Sequence, residues 1–157
     1  MVIGGVTMKR MLPLLIVLIL LAGCAGGNQP RSVEYAAVDN LVTRLSEIMR
    51  TGDSGRLPEV LAAQVNVSGA IKTKEEYIRE FEDARLFIKS VERYDFTNRE
   101  IVLGDNVAVV EVWITAEMTL LLAGRVYGEG PGKFEVKKFA DGWRFTGIDI
   151  NVEPRNK

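Results

Sequence analysis

The chain has 157 residues, of which 20 are Lys or Arg, 21 are Asp or Glu, one is Cys and none is His. Near-balanced charge without a basic cluster argues against a nucleic-acid partner, and a lone cysteine excludes a disulfide within the chain. Without histidine, Ser-His-Asp and Cys-His nucleophile systems are excluded and metal catalysis lacks its commonest ligand. Carboxylate sites for calcium or magnesium stay open, yet no loop has EF-hand spacing; neither a metal nor a cofactor is expected.

Residues 1–23 read as a targeting segment. Lys9 and Arg10 form a basic region, and Met11 to Leu21 follows without a polar side chain. As a helix that run rises about 16 Å, well short of the roughly 30 Å hydrocarbon core, so it is a poor permanent span. Leu21-Ala22-Gly23-Cys24 resembles the lipobox of bacterial lipoprotein precursors. The resemblance implies a diacylglycerol thioether on Cys24, cleavage before it, acylation of the new amino group and a lipid anchor in the cell membrane. Ala25 follows where Asp would favour inner-membrane retention, which implies the periplasmic face of the outer membrane in a Gram-negative host. Positive charge adjoins the initiator in such signals, so translation is expected to begin at Met8. Removing residues 1–23 takes away two bases and no acid, leaving 134 residues with a net charge of −3. That suffices for one domain with a real core. Residues 24–32 comprise the lipidated cysteine and a flexible tether, Ala25 to Ser32, which reaches at most about 28 Å.

The domain is expected over 33–152, with 153–157 as a tail. From Val33 to Arg50, Val38, Leu41, Val42, Leu45, Ile48 and Met49 recur at helical spacing, and Gly52 provides a C-terminal cap. A short helix is expected over Leu57 to Ala63, with Pro58 in its first turn, then a brief strand at Val65-Asn66-Val67. Thr73-Lys74-Glu75-Glu76 is a capping box. It opens a helix to about Lys89, with Tyr77, Ile78, Phe81, Ala84, Arg85 and Ile88 on one side. Its acids are a solvated face.

The period then changes to two. Val91 to Leu103 is rich in β-formers and stops at the turn Gly104-Asp105-Asn106. In Val107 to Leu121 the even positions from Ala108 to Leu120 are all apolar, whereas the odd ones include Glu111, Trp113, Thr115, Glu117 and Thr119. One face must lie on a core. Gly128 to Lys133 has glycines spaced somewhat like a phosphate loop, but Tyr127 and Phe134 stand where Gly and Ser or Thr are needed, so a glycine-rich connection between strands is expected. Lys133 to Phe139 and Trp143 to Val152 form a last hairpin through a type I′ turn at Asp141-Gly142. Parity switches at Gly147, which predicts a bulge or bend there.

The layout is α+β: a cone-shaped domain of about three N-terminal helices packed on a strongly curved antiparallel sheet. Four features together resemble the nuclear transport factor 2-like (cystatin-like, SnoaL-like) superfamily. They are the opening helix ending in Thr51-Gly52-Asp53, the Lys72 to Tyr77 helix start, the stretch Leu103 to Val109, and Lys138 to Phe145. The resemblance implies a curved sheet wrapping a long helix, often around a pocket and often dimerising through sheet faces. Members include enzymes and noncatalytic modules, so it does not fix the activity. Acid–base candidates for an isomerase or dehydratase are Asp39, Tyr35, Tyr77 and Tyr94, although Asp39 beside the stripe reads far more readily as a helix-surface residue than as a base. Tyr77, Phe81, Met118 and Phe134 are expected to line the pocket. Glu111, Trp113 and Thr115 are a candidate interface for a homodimer or an envelope protein, since tryptophan anchors interfaces. The leading expectation is a noncatalytic, membrane-anchored envelope lipoprotein that binds a small apolar ligand or an envelope partner. The alternative is an isomerase- or dehydratase-type enzyme using Asp or Tyr.

Overall fold

The computed structural model describes residues 29–155, and the side chains of 31–154. The chain divides into two units, residues 1–34 and 35–157. The signal segment and Cys24 lie outside the described residues; the end of the expected tether does not, and it is helical from Gln29.

Helix α1 (Gln29–Thr51) buries every residue of its expected stripe, from Val38 to Met49. Gly52 ends it with φ +75°, its N–H donating to Ile48 O at 2.8 Å. A Cβ there would also lie 2.5 Å from the Arg85 guanidinium, but that flexible end can give way, so it is the backbone sign that demands glycine. A 3-10 turn (Ser54–Arg56) leads to helix α2 (Leu57–Val60), which holds Pro58 in its first turn as anticipated. The helix stops earlier than expected. Leu57, Val60 and Leu61 are all buried, a spacing that suits a helix, but Leu61 turns extended and pairs with Phe145.

Strand β1 (Leu61–Val67) therefore absorbs the expected end of that helix. It turns back into β2 (Ala70–Thr73) through Ser68 and Gly69, at φ 49° and 91°. Positive φ at both central residues is what a type I′ hairpin requires, and Asn66 Oδ1 accepts the Gly69 N–H at 2.9 Å. Helix α3 (Lys74–Arg85) opens with the expected capping box: Thr73 Oγ1 accepts from Glu76 N at 3.2 Å, and Glu76 Oε2 accepts from Thr73 N at 2.8 Å. The bond from Thr73 N, and then one that Thr73 Oγ1 donates to the same carboxylate at 3.0 Å, hold the Glu76 carboxyl below its ordinary pKa.

The remaining strands are β3 (Ile88–Leu103), β4 (Val107–Leu120), β5 (Gly124–Phe139), β6 (Gly142–Ile150) and β7 (Glu153–Arg155). Ile88 and Lys89, expected at the end of the third helix, start β3 because Ile88 pairs with Leu120. The order is β2-β1-β6-β5-β4-β3, with β7 on β5. The sheet is mixed rather than wholly antiparallel, since β1 lies parallel to β6. The inner face is the even face of β4, where Ala108, Val110, Val112, Ile114 and Ala116 are buried. Across it runs an aromatic chain: Tyr94 to Phe96 at 5.7 Å, Phe96 to Phe134 at 5.1 Å and Phe134 to Phe145 at 5.5 Å between ring centroids.

Two expectations about β5 and β6 are corrected. The glycine-rich segment is no connection, because β5 runs unbroken through Gly128, Gly130, Pro131 and Gly132. A Cβ on Gly130 would lie 2.0 Å from Asn151 O, and one on Gly132 would lie 2.6 Å from Ile114 Cδ1. Close approach, not flexibility, explains these glycines. Pro131 is tolerated because β6 pairing ends at Gly132 and β7 pairing begins at Glu129, so Gly130 and Pro131 span the gap between them. The β5–β6 turn is not type I′ either. Its central residues are Ala140 and Asp141, neither has positive φ, and Gly142 takes φ +125° as the first residue of β6. The bulge expected near Gly147 is present: Gly147 pairs with Glu135 and Phe145 with Val136, leaving Thr146 over. Residues 153–155, assigned to the tail, instead form β7.

Candidate functional site

Three of the four acid–base candidates, Asp39, Tyr77 and Tyr94, are occupied or locked. Asp39 projects from α1 toward Arg99, which sits in a bulge of β3 beside Asn98, itself at φ 49°. Arg99 Nη1 donates to Asp39 Oδ1 at 2.8 Å and Thr43 Oγ1 at 2.7 Å, while its Nε donates to Phe96 O at 3.0 Å. The aspartate thus fastens α1 to the sheet. Burial, then the neighbouring Tyr94 and Glu80, push the Tyr77 phenol far up. Burial alone pushes Tyr94 up to about 12. Both phenols stay protonated near neutrality, where they can donate but not abstract a proton. Tyr35 is exposed on α1.

Tyr77 and Phe81, one turn apart on α3, are half-buried against the core, as is Tyr94. Phe134 is fully buried between Phe96 and Phe145. Met118 lies further along the inner face, in a hollow of about 260 Å³ shared with Ala116, Val126, Tyr127, Val152 and Pro154. None of Tyr77, Phe81 and Phe134 lines it. The hollow owes its space to Gly128, where a Cβ would lie 2.6 Å from Val152 Cγ1.

The outer face is different in kind. Trp113 is 40% exposed and Glu111 is exposed, but Thr115 is buried, so only two of the three candidate interface residues reach solvent. Strand register sets Glu100, Glu111, Lys133 and Asp149 in one row across β3, β4, β5 and β6. Beside that row Trp113 pairs with Pro131. A hollow of about 460 Å³ lies over these residues, with Asn98 and Asn151 at its rim. Lys133 and Asp149 also line a second hollow, of about 200 Å³, at the β1–β2 turn. Only Trp113 and Glu111 of this site were legible in the sequence. The signal for the others is the register, which passes through bulges in β3 and β6. Among the described residues no group of three His, Cys, Asp or Glu side chains could hold a metal ion, and no helix is long and apolar enough to cross a membrane.

No protein-family model matches the chain, and no curated protein does. Solved structures do match. A protein from Kribbella flavida aligns with 80% of this chain and 95% of its own, at a TM-score of 0.74 and 15% identity. A hexachlorocyclohexane dehydrochlorinase (LinA type 2) aligns with 80% of this chain and 91% of its own, at a TM-score of 0.67 and 12% identity. An NTF2-like protein from Cytophaga hutchinsonii aligns with 80% of this chain and 99% of its own, at a TM-score of 0.62 and 18% identity. At such identities the likeness concerns fold alone. Helices on a curved, mixed sheet give residues 35–157 the nuclear transport factor 2-like, or cystatin-like, fold.

Proposed function

We propose that this is a membrane-anchored bacterial envelope lipoprotein whose domain binds rather than catalyses. The observation that carries the noncatalytic reading is the fate of the acid–base candidates: Asp39 is engaged by Arg99, and Tyr77 and Tyr94 are held protonated. The anchor rests on Lys9-Arg10, the apolar run to Leu21 and Leu21-Ala22-Gly23-Cys24. The hollow at Met118, lined mainly by apolar side chains, suits a small apolar ligand. The likeness to a dehydrochlorinase keeps an isomerase- or dehydratase-type enzyme as the second reading, with the two phenols as donors to a developing oxyanion.

The test is native mass spectrometry of the full chain, expressed in a bacterium and purified in detergent. A chain beginning at Cys24 and carrying acyl mass, lost in Cys24→Ala, is expected, together with extra noncovalent mass that leaves on denaturation and is reduced in Met118→Glu. A full-length, unacylated chain would refute the anchor. A bare domain would refute the apolar ligand.

A further inference from the structure

We propose that the outer face of the sheet carries a saccharide-binding groove, with Trp113 as the platform on which one sugar ring stacks. Trp113 borders the larger hollow together with Pro131, so a flat apolar surface forms part of a concave site. A pyranose ring has one face of C–H groups and a rim of hydroxyls, and an indole is a broad apolar plane that can meet that face.

The rim matches the other half of a sugar. Hydroxyls donate and accept at once, so they need both kinds of partner. Asn98 and Asn151 supply amides, Glu100 and Glu111 supply acceptors, and Lys133 supplies a donor. Among the described residues these five side chains make no hydrogen bond or ion pair within the protein. Asp149 alone is engaged, accepting from Ser68 Oγ at 3.1 Å. Hydrogen-bonding groups gathered over an aromatic platform and left uncommitted by the fold are what a polyol would use.

The groove has length as well as width. From Glu100 on β3 to Asp149 on β6 is three strand spacings, about 14 Å, and the second hollow prolongs it past Lys133. That accommodates a short oligosaccharide rather than a single sugar. Charge narrows the choice. The row holds three carboxylates and one ammonium, which disfavours uronic acids and favours neutral or amino sugars. It also disfavours a second copy of this face, because a two-fold axis would set like against like and bury the excess carboxylates.

The experiment is calorimetric titration of the full chain, held in a detergent without a sugar headgroup, with three tetrasaccharides: N-acetylglucosamine, glucosamine and galacturonic acid oligomers. Saturable binding of one or both of the first two is expected, with none of the third. Trp143 is buried away from the groove, so a shift of tryptophan emission on binding reports Trp113 and is expected. Trp113→Ala should weaken binding at least about tenfold, and Trp113→Phe should restore part of it. Binding of none of the probes, or an affinity unchanged in Trp113→Ala, would overturn the proposal. So would a dimer in sedimentation that dissociates in Trp113→Ala, which would make this face a self-interface. All three readouts are independent of Cys24 lipidation and of the Met118 hollow.

Discussion

Replacing Phe134 by alanine asks whether the aromatic chain across the inner face is core or pocket wall. The ring is fully buried and lies 5.1 Å from Phe96 and 5.5 Å from Phe145, centroid to centroid. Burying a phenylalanine side chain contributes about 1.5–3 kcal/mol, and each aromatic pair adds about 0.5–1.5 kcal/mol. Losing one ring and two pairs therefore costs about 3–5 kcal/mol, the range of Phe truncations in packed cores. Against a typical total of about 5–15 kcal/mol that is a large fraction. Urea titration followed by far-ultraviolet circular dichroism should show the unfolding free energy falling by that amount, through a lower midpoint with the slope unchanged. A loss below about 1.5 kcal/mol would mean that the ring faces a space already open to water or ligand. The assignment of Phe134 to the core would then be wrong.

Arg99→Met should cost about 1–2 kcal/mol in the same assay, and Asp39→Asn less, because the carboxylate side of that pair is half-exposed and screened. Equal losses would contradict the view that Arg99 also holds Thr43 and Phe96 O. Tyr77 and Tyr94 bind their protons more tightly folded than unfolded. Their contribution is intact below the ordinary value of 10.0 and is lost as pH climbs from there toward about 12. Ultraviolet titration should accordingly show Tyr77 and Tyr94 ionising late, together with alkaline unfolding. Thr73→Ala removes the cap of α3 and should cost about 1 kcal/mol in chemical denaturation. The Glu76 contribution, from a lowered pKa, is present above the ordinary 4.5 and is lost on acidification; a stability difference between Thr73→Ala and the parent that persisted fully in acid would refute the reciprocal box. Gly130→Ala places a Cβ 2.0 Å from a backbone oxygen, and should cost at least about 2 kcal/mol in thermal melts; an unchanged melting temperature would mean that the β6–β7 junction can move aside.

What was legible in the sequence was periodicity. The six stripe residues of α1 and the even positions of β4 from Ala108 to Ala116 are buried as their spacing required, because a 3.6 or 2.0 period projects directly onto one face. The capping box was equally local. What was not legible depended on neighbours distant in the chain. Leu61 leaves the helix to lie beside Phe145, a partner 84 positions away. Ser68-Gly69 carries the type I′ turn that Asp141-Gly142 had suggested. The glycines of β5 read as a loop until Asn151 and Ile114 are seen pressing on them. The candidate site divides the same way. The parity of Trp113 placed it outside the core, but its row-mates Lys133 and Asp149 need a register set by bulges, which no local pattern fixes.

Strand β3 forms one margin of the sheet, sixteen residues long and paired on one side only by β4. A straight ribbon of that length would be a template for another extended chain, and a lipid anchor would crowd such ribbons together on a membrane surface. The pairing of β3 with β4 slips at three places, between Ile88 and Ser90, Val91 and Arg93, and Thr97 and Glu100. Each slip twists the free margin and breaks its repeat, so an incoming strand would lose alignment after only a few residues. The irregularity that seats Arg99 against α1 therefore has a second consequence: it guards this chain against fibrous self-assembly, a protection that would matter most if the proposed anchor concentrates it.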